Sequence, residues 1–168
     1  MLKRILVAGR ASVAVAGAAQ AAIVTTLPGG TALVMPPNSA AGLSGPIAFT
    51  GATPGSWSST GAFSAFGYIG SLPYSFGSNG SWSGPPMAGT NSNTDSMTFT
   101  FNAPISGFLG QINWSPGFGP AATMQALNAS GGVLETITFS TATSNILDPN
   151  GFWGFSRSAG DIKSIVLQ

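Results

Sequence analysis

Hydrophobic and polar residues alternate along much of the second half of the chain. In residues 97–102, Met and Phe take every other position and Thr and Asn fill the rest, which is the two-residue period of a half-buried strand. Residues 106–114 repeat this pattern. Residues 123–127 and 133–139 flank a short Asn/Gly turn, so together they predict a β-hairpin.

Strand-like runs also occur in the first half, where proline and glycine separate them. Residues 31–35, 47–50 and 63–69 predict short strands bounded by such breaks. Residues 74–94 are rich in Gly, Ser, Asn and Pro, and they predict a long irregular loop held by a few apolar anchors.

Two further strands, residues 152–156 and 162–167, are predicted before the last residue. No stretch after residue 21 shows a 3.6-residue apolar stripe with helix caps. Short strands at close spacing favour an all-β fold, an antiparallel β-sandwich or jelly roll that forms a single domain over residues 22–168.

Residues 1–21 predict a secretory signal peptide. Basic residues begin the segment, an apolar run follows, and Ala19-Gln20-Ala21 is a small-x-small site, so cleavage is expected after Ala21. A membrane anchor is the alternative, but it needs about 20 uncharged apolar residues, and Arg10 interrupts the run. No later stretch is long and apolar enough to span, so we expect a secreted chain without a transmembrane segment.

Charge is scarce once the leader is removed. Two basic residues then remain against four acidic ones, which gives a net charge of −2. Nucleic-acid binding needs clustered Lys and Arg, so we expect no nucleic-acid partner. The chain contains neither Cys nor His, which excludes thiol catalysis, thiolate metal sites and the commonest general base. We therefore expect no cofactor, with calcium as the one alternative.

The tryptophans, together with Tyr68 and Tyr74, are the candidates for contact with a sugar, because the apolar face of a pyranose ring packs well on an indole. Trp114 and Trp153 lie in strand patterns, which favours a place in the core. Trp82 and Trp57 lie in Ser/Gly-rich stretches without a strand period, which predicts loops and exposure. We therefore predict glycan stacking at Trp82 first and at Trp57 second.

The carboxylates offer two further hypotheses. Asp95 follows an oxygen-rich run, residues 91–94, that would supply carbonyl ligands to calcium. The alternative is a turn whose side chains bond their own backbone. A glycan-active enzyme would need two facing carboxylates from among Asp95, Glu135 and Asp161. No serine lies in a Gly-x-Ser-x-Gly motif, and we expect no catalytic residue.

About the last 70 residues of the chain resemble the exported β-sandwich proteins of Gram-negative bacteria that carry a PEP-CTERM sorting tail. The resemblance rests on the Phe-rich strand at 97–101, Phe108-Leu109-Gly110, the hairpin at 126–134, and the strands at 152–156 and 162–167. It implies a sandwich secreted to the cell surface or the medium and associated with exopolysaccharide. The tail itself is not found before Gln168. Either the natural sequence continues beyond this residue, which we expect, or this member is released without a sorting tail.

These observations together predict an exported, non-enzymatic protein of the cell surface or extracellular matrix that is associated with exopolysaccharide. One alternative is a carbohydrate-binding module, which requires exposed aromatic residues in a row. The other is a glycan-active hydrolase or lyase, which requires the facing carboxylates described above.

Overall fold

The computed structural model describes residues 21–36, 41–68, 74–82, 86–117, 119–139 and 151–168, and its regular structure is almost entirely β-strand. In chain order the strands are β1 (Ala22–Val24), β2 (Ala41–Leu43), β3 (Ile47–Phe49), β4 (Gly55–Ser59), β5 (Ser64–Tyr68), β6 (Tyr74–Ser75), β7 (Ser81–Trp82), β8 (Met87–Gly89), β9 (Met97–Ile105), β10 (Gly107–Gln111), β11 (Thr123–Leu127), β12 (Val133–Thr138), β13 (Phe152–Ser156) and β14 (Ile162–Leu167). One 3₁₀ turn, Gly77–Asn79, lies between β6 and β7. None of the described segments forms a helix with the length and hydrophobicity to cross a membrane.

The strands form two facing layers of antiparallel sheet. The first layer has six strands in the order β12-β11-β14-β9-β4-β3, and the second consists of two three-stranded sheets, β1-β13-β10 and β2-β5-β8. The ring of Phe66 on β5 lies 4.9 Å from that of Trp57 on β4, and the ring of Phe108 on β10 lies 5.7 Å from that of Phe99 on β9. Rings from both smaller sheets thus meet the large sheet, and the predicted all-β sandwich is confirmed.

The core between the layers is mostly aromatic. Alternation along β9 turns Phe99 and Phe101 inward, where both are buried. At the centre, Trp57 and Phe66 are fully buried, and their rings are parallel within 4°. The buried members of this core are Phe49, Trp57, Phe66, Phe99, Phe101, Met124, Ala126, Ile137, Phe139, Phe155, Ile162, Ile165 and Leu167.

The predicted hairpin at residues 123–139 is confirmed as β11 and β12. Its turn is organised by Asn128, whose side-chain Oδ1 accepts hydrogen bonds from the backbone N–H of Ser130 at 3.0 Å and of Gly132 at 2.8 Å. Gly131 has a φ of 81°, which lies in the left-handed region that glycine adopts without strain. Asn128 therefore supplies the side-chain acceptor, and Gly131 the left-handed backbone conformation, that this turn uses.

The first half of the chain differs from the sequence predictions in two segments. The strand predicted at 31–35 is wrong, since the segment forms only a single bridge, between Val34 and Thr50. The irregular loop predicted at 74–94 is wrong in part, because it contains β6, β7 and β8, and β8 pairs with β5 in the second layer. The strands predicted at 47–50 and 63–69 correspond to β3 and to β5, although residue 69 lies outside the described residues.

The loop predicted around Trp57 is also wrong, because this residue lies on β4, between β3 and β9. Gly55 permits that position, since a Cβ there would collide with the Thr100 carbonyl oxygen and the Phe49 ring. Trp57 is the only large side chain of β4, and its strand neighbours are Gly and Ser. The sequence of β4 therefore shows no alternation of apolar and polar residues, although the strand lies in the interior of the large sheet.

Charged side chains gather at one end of the sandwich, which we call the charged end and define by Arg157 and Asp161. Arg157 is 6% exposed and donates to both carboxylate oxygens of Asp161, from Nε at 2.5 Å and from Nη2 at 2.8 Å. These hydrogen bonds lower the pKa of Asp161, although its burial acts in the opposite direction. They also raise the pKa of Arg157, again against the effect of burial.

Glu135, on β12 of the six-stranded sheet, interacts electrostatically with Arg157. It is paired with Ala126 across β11 and β12, and directly opposed residues of an antiparallel pair share a face of the sheet. Because Ala126 is fully buried, Glu135 lies on the inner face. Its negative charge there favours the charged form of Arg157.

We expect Phe66→Ala to lower the free energy of unfolding by about 3–5 kcal/mol, because it removes a fully buried ring from between the layers. Phe63→Ala is the matched control: Phe63 is 75% exposed in the turn before β5, and such changes stay within about 0.5 kcal/mol. Equilibrium urea denaturation of the two variants measures both values. Equal effects of the two substitutions would contradict the described packing.

We expect Asp161→Asn to lower the free energy of unfolding by about 1 kcal/mol at neutral pH, a small value because Asp161 is 38% exposed and water screens the pair. The pKa of Asp161 is lowered in the folded state. Its contribution is therefore fully present above the unfolded pKa of about 3.9, and it is lost as pH falls through the lower folded pKa.

Urea denaturation of the wild type and of Asp161→Asn at pH 7 and at pH 3 measures this difference. The gap between the two proteins should narrow at the lower pH. A gap of constant size, or one that widens with acid, would show that the Arg157–Asp161 pair does not stabilise the fold in this way.

Candidate functional site

The end of the sandwich opposite the charged end collects four polar segments, and we call it the polar end: residues 59–64, 74–80, 90–96 and 112–117. β9 begins there at Met97, which pairs with Ser59 at the end of β4 and with Leu167 at the end of β14. The backbone N–H of Thr60 donates to the Ser96 carbonyl oxygen at 3.0 Å, which joins the first and third segments. Because β9 is nine residues long, the two ends are about 25–30 Å apart.

Two aromatic rings, Tyr74 and Phe76, lie together at the polar end. Their centroids are 5.4 Å apart, their planes are tilted by 49°, and both residues are only partly buried. The Tyr74 hydroxyl donates to Oδ1 of Asn91 at 3.0 Å. A partly exposed ring pair thus lies directly beside an exposed amide side chain.

The small hairpin of β6 and β7 positions these rings. Tyr74 pairs with Trp82 across the two strands. The Phe76 N–H donates to the Gly80 carbonyl oxygen at 2.8 Å, which closes the hairpin around the 3₁₀ turn. Gly80 has a φ of 86°, a conformation that favours glycine. Two alternating aromatic residues before a Gly-Ser-Asn-Gly turn were the signal in the sequence for this feature.

A buried amide attaches the hairpin to the rest of the polar end. Asn79 is 1% exposed, and its Nδ2 donates to the Trp114 carbonyl oxygen at 2.9 Å. In return, Nδ2 of Asn113 donates to the Asn79 carbonyl oxygen at 3.1 Å. Trp114 itself packs on the core residue Phe139, with centroids 5.4 Å apart. The ring pair is therefore carried by a hairpin that is hydrogen-bonded to a core-packed segment, which limits the freedom it would lose on binding.

The oxygen-rich loop beside the rings is a self-bonded turn. The Ser92 hydroxyl lies 2.9 Å from Oγ1 of Thr94 and accepts a hydrogen bond from the Thr94 N–H at 3.3 Å. The Asp95 carboxylate lies against Gly61, in the space where a Cβ would be. No group of three His, Cys, Asp or Glu side chains is found within the described residues. The calcium site at Asp95 stays a prediction.

The residues predicted from the sequence fall in different places. Trp57 is fully buried, so its predicted exposure is wrong, and it offers no surface to a sugar. Trp82 lies on β7 beside Tyr74 in the small hairpin, and its side chain lies outside what the structure describes. Trp114 and Trp153 pack against the core, as their strand patterns predicted. Phe76 was not selected from the sequence, and the structure places it beside Tyr74 at the same end as Asp95.

Asp95 and Asp161 do not form the pair of facing carboxylates that a glycosidase needs. Asp95 lies at the polar end, just before β9, whereas Asp161 precedes β14 at the charged end, where Ile162 pairs with Ile105 at the end of β9. Glycosidase carboxylates are about 5–9.5 Å apart, far less than the length of β9. Asp161 is instead bonded to Arg157. The fourth acidic residue of the sequence, Asp148, lies outside the described residues.

Comparison of this chain with models of known protein families, with curated proteins and with solved structures finds no match. The fold and the chemistry of the polar end therefore carry the functional argument.

Proposed function

We propose that this chain is an exported, non-enzymatic protein of the Gram-negative cell surface or extracellular matrix that associates with polysaccharide through its polar end. The observation that carries the proposal is the partly exposed ring pair of Tyr74 and Phe76 with the exposed Asn91 amide bonded to its edge.

The chemistry of this group matches that of a sugar. A pyranose ring has C–H groups on its faces and hydroxyl groups around its rim, so it needs an apolar surface bordered by polar groups. Tyr74 and Phe76 supply the apolar surface, and the Asn91 amide carries both donors and an acceptor. The 49° tilt between the rings offers two separate faces rather than one flat platform, which suits one sugar unit per ring.

The export part of the proposal is supported at the other end of the chain. The first described strand, β1, begins at Ala22, directly after the predicted cleavage point at Ala21. Cleavage there leaves every described strand intact, including the pairing of β1 with β13. The resemblance of residues 97–167 to exported sandwich proteins of the PEP-CTERM type supports the same compartment.

We expect Phe76→Ala to weaken polysaccharide binding about tenfold, the equivalent of a lost stacking contact of roughly 1–1.5 kcal/mol. Electrophoresis through native gels that contain a soluble polysaccharide measures the binding as retardation. Phe63→Ala is the matched control, because it removes another exposed phenyl ring from the polar end. Equal loss in both variants would indicate nonspecific adhesion, and no retardation of the wild type by any polysaccharide would refute the proposal.

Export has its own test, in which the full chain is produced in a Gram-negative host and the exported fraction is analysed by intact mass and N-terminal sequencing. The recovered chain should begin at Ala22. Replacing both Ala19 and Ala21 by Leu should block processing, since the peptidase requires small residues there. Recovery of the unprocessed wild-type chain from the cytoplasm alone would contradict the export proposal.

A further inference from the structure

The distribution of charge along the chain separates the polar end from every basic residue of the predicted mature protein. The sequence contains no Lys or Arg between Arg10 and Arg157. All four segments of the polar end, residues 59–64, 74–80, 90–96 and 112–117, fall within that interval. The basic residues before it lie in the predicted leader, outside the described residues.

The two remaining cations are held away from the polar end. Arg157 is bonded to both oxygens of Asp161 at the charged end. Nζ of Lys163 donates to the carbonyl oxygen of Asn102 at 2.8 Å. Asn102 is five residues beyond Met97 along β9, so this ammonium is bonded roughly 17 Å from the start of the strand.

The one charge in the described part of the polar end is negative. Asp95 is four residues from Asn91 in the same turn, and four steps of the chain span at most about 15 Å. A sugar stacked beside Asn91 therefore lies within reach of the field of this carboxylate. At low salt, where the Debye length exceeds that distance, an anionic sugar would be repelled.

From this arrangement we infer that the polar end binds segments of neutral polysaccharide in preference to acidic ones. The inference rests on the proposed function and names the class of glycan that the site accepts. Uronate, sulfate and phosphate groups are recognised by Arg and Lys, most strongly by paired hydrogen bonds from a guanidinium. The polar end offers instead two aromatic rings, an amide and hydroxyl groups, which suit the C–H faces and hydroxyls of an uncharged sugar.

Native gels at low and at physiological salt test the inference. One set of gels contains dextran or laminarin, which are neutral, and the other contains alginate or polygalacturonate, which are acidic. The purified full chain should be retarded more strongly by at least one neutral polymer than by either acidic one. A variant with Lys3, Arg4 and Arg10 all replaced by Gln is run beside it, which removes any contribution of leader charge.

Retardation by the acidic polymers alone, or equally by both classes, overturns this inference and leaves the proposed association with polysaccharide standing. No retardation by any polymer overturns both. The two failures are therefore distinguishable in the same set of gels.

Asp95→Asn and Glu135→Gln form a matched pair, since each removes one negative charge. At low salt, Asp95→Asn should strengthen interaction with alginate about twofold relative to Glu135→Gln, the change expected for one charge at roughly 10 Å in water. The ratio should approach one at physiological salt. Identical behaviour of the two variants at low salt would overturn the selectivity assigned to Asp95.

Discussion

The stacked pair of Trp57 and Phe66 is the contact on which the rest of the structure depends. The two rings come from opposite layers, are fully buried and lie 4.9 Å apart. The sequence contains no cysteine, so no disulfide joins the layers, and apolar contacts such as this one hold them together. The stack sets the distance between the layers around it, and Phe49 and Phe99 pack against the same Phe66 ring.

The two ends of the sandwich, on either side of this stack, differ in their chemistry. Strands on both sides of it run the length of the sandwich and emerge at two chemically different ends. One end contains the ion pair of the buried Arg157 with the partly exposed Asp161. The other end contains turns in which Ser, Thr and Asn side chains form hydrogen bonds with nearby residues. The Tyr74–Phe76 ring pair lies among these turns. A rigid aromatic core thus supports a surface built almost entirely from uncharged polar groups.

Much of the fold was predictable from local sequence, and the particular residues show why. The Met/Phe alternation of β9 and the Asn128 turn both encode their structure within a few neighbouring positions, so the strand and the hairpin were identified correctly. β4 was missed because its sequence is Gly-Ser-Trp-Ser-Ser, and its strand conformation comes from pairing with β3 and β9. Close approach at Gly55 depends on the carbonyl oxygen of Thr100, which is distant in sequence, so no local pattern reveals it.

The candidate site was predictable only in part, for a similar reason. The residues around Trp57 have the composition of an exposed loop, yet strand pairing buries its side chain. Tyr74 and Phe76 become neighbours of Asn91 only when the small hairpin packs against the rest of the polar end. That docking depends on the buried amide of Asn79 and its bond to the Trp114 carbonyl oxygen. Hydrogen bonds between residues this far apart in the chain leave no trace in sequence periodicity.

The separation of the two ends determines where the protein responds to the acidity and salinity of its medium. Acidity and salinity act on charged groups, and the described ion pair of this molecule lies at the end away from the ring pair. Stability therefore responds to the medium mainly at one end, whereas stacking and neutral hydrogen bonds at the other are little affected by dissolved ions. The ion pair that responds to acidity and the surface proposed to bind polysaccharide therefore lie at opposite ends of a single sandwich.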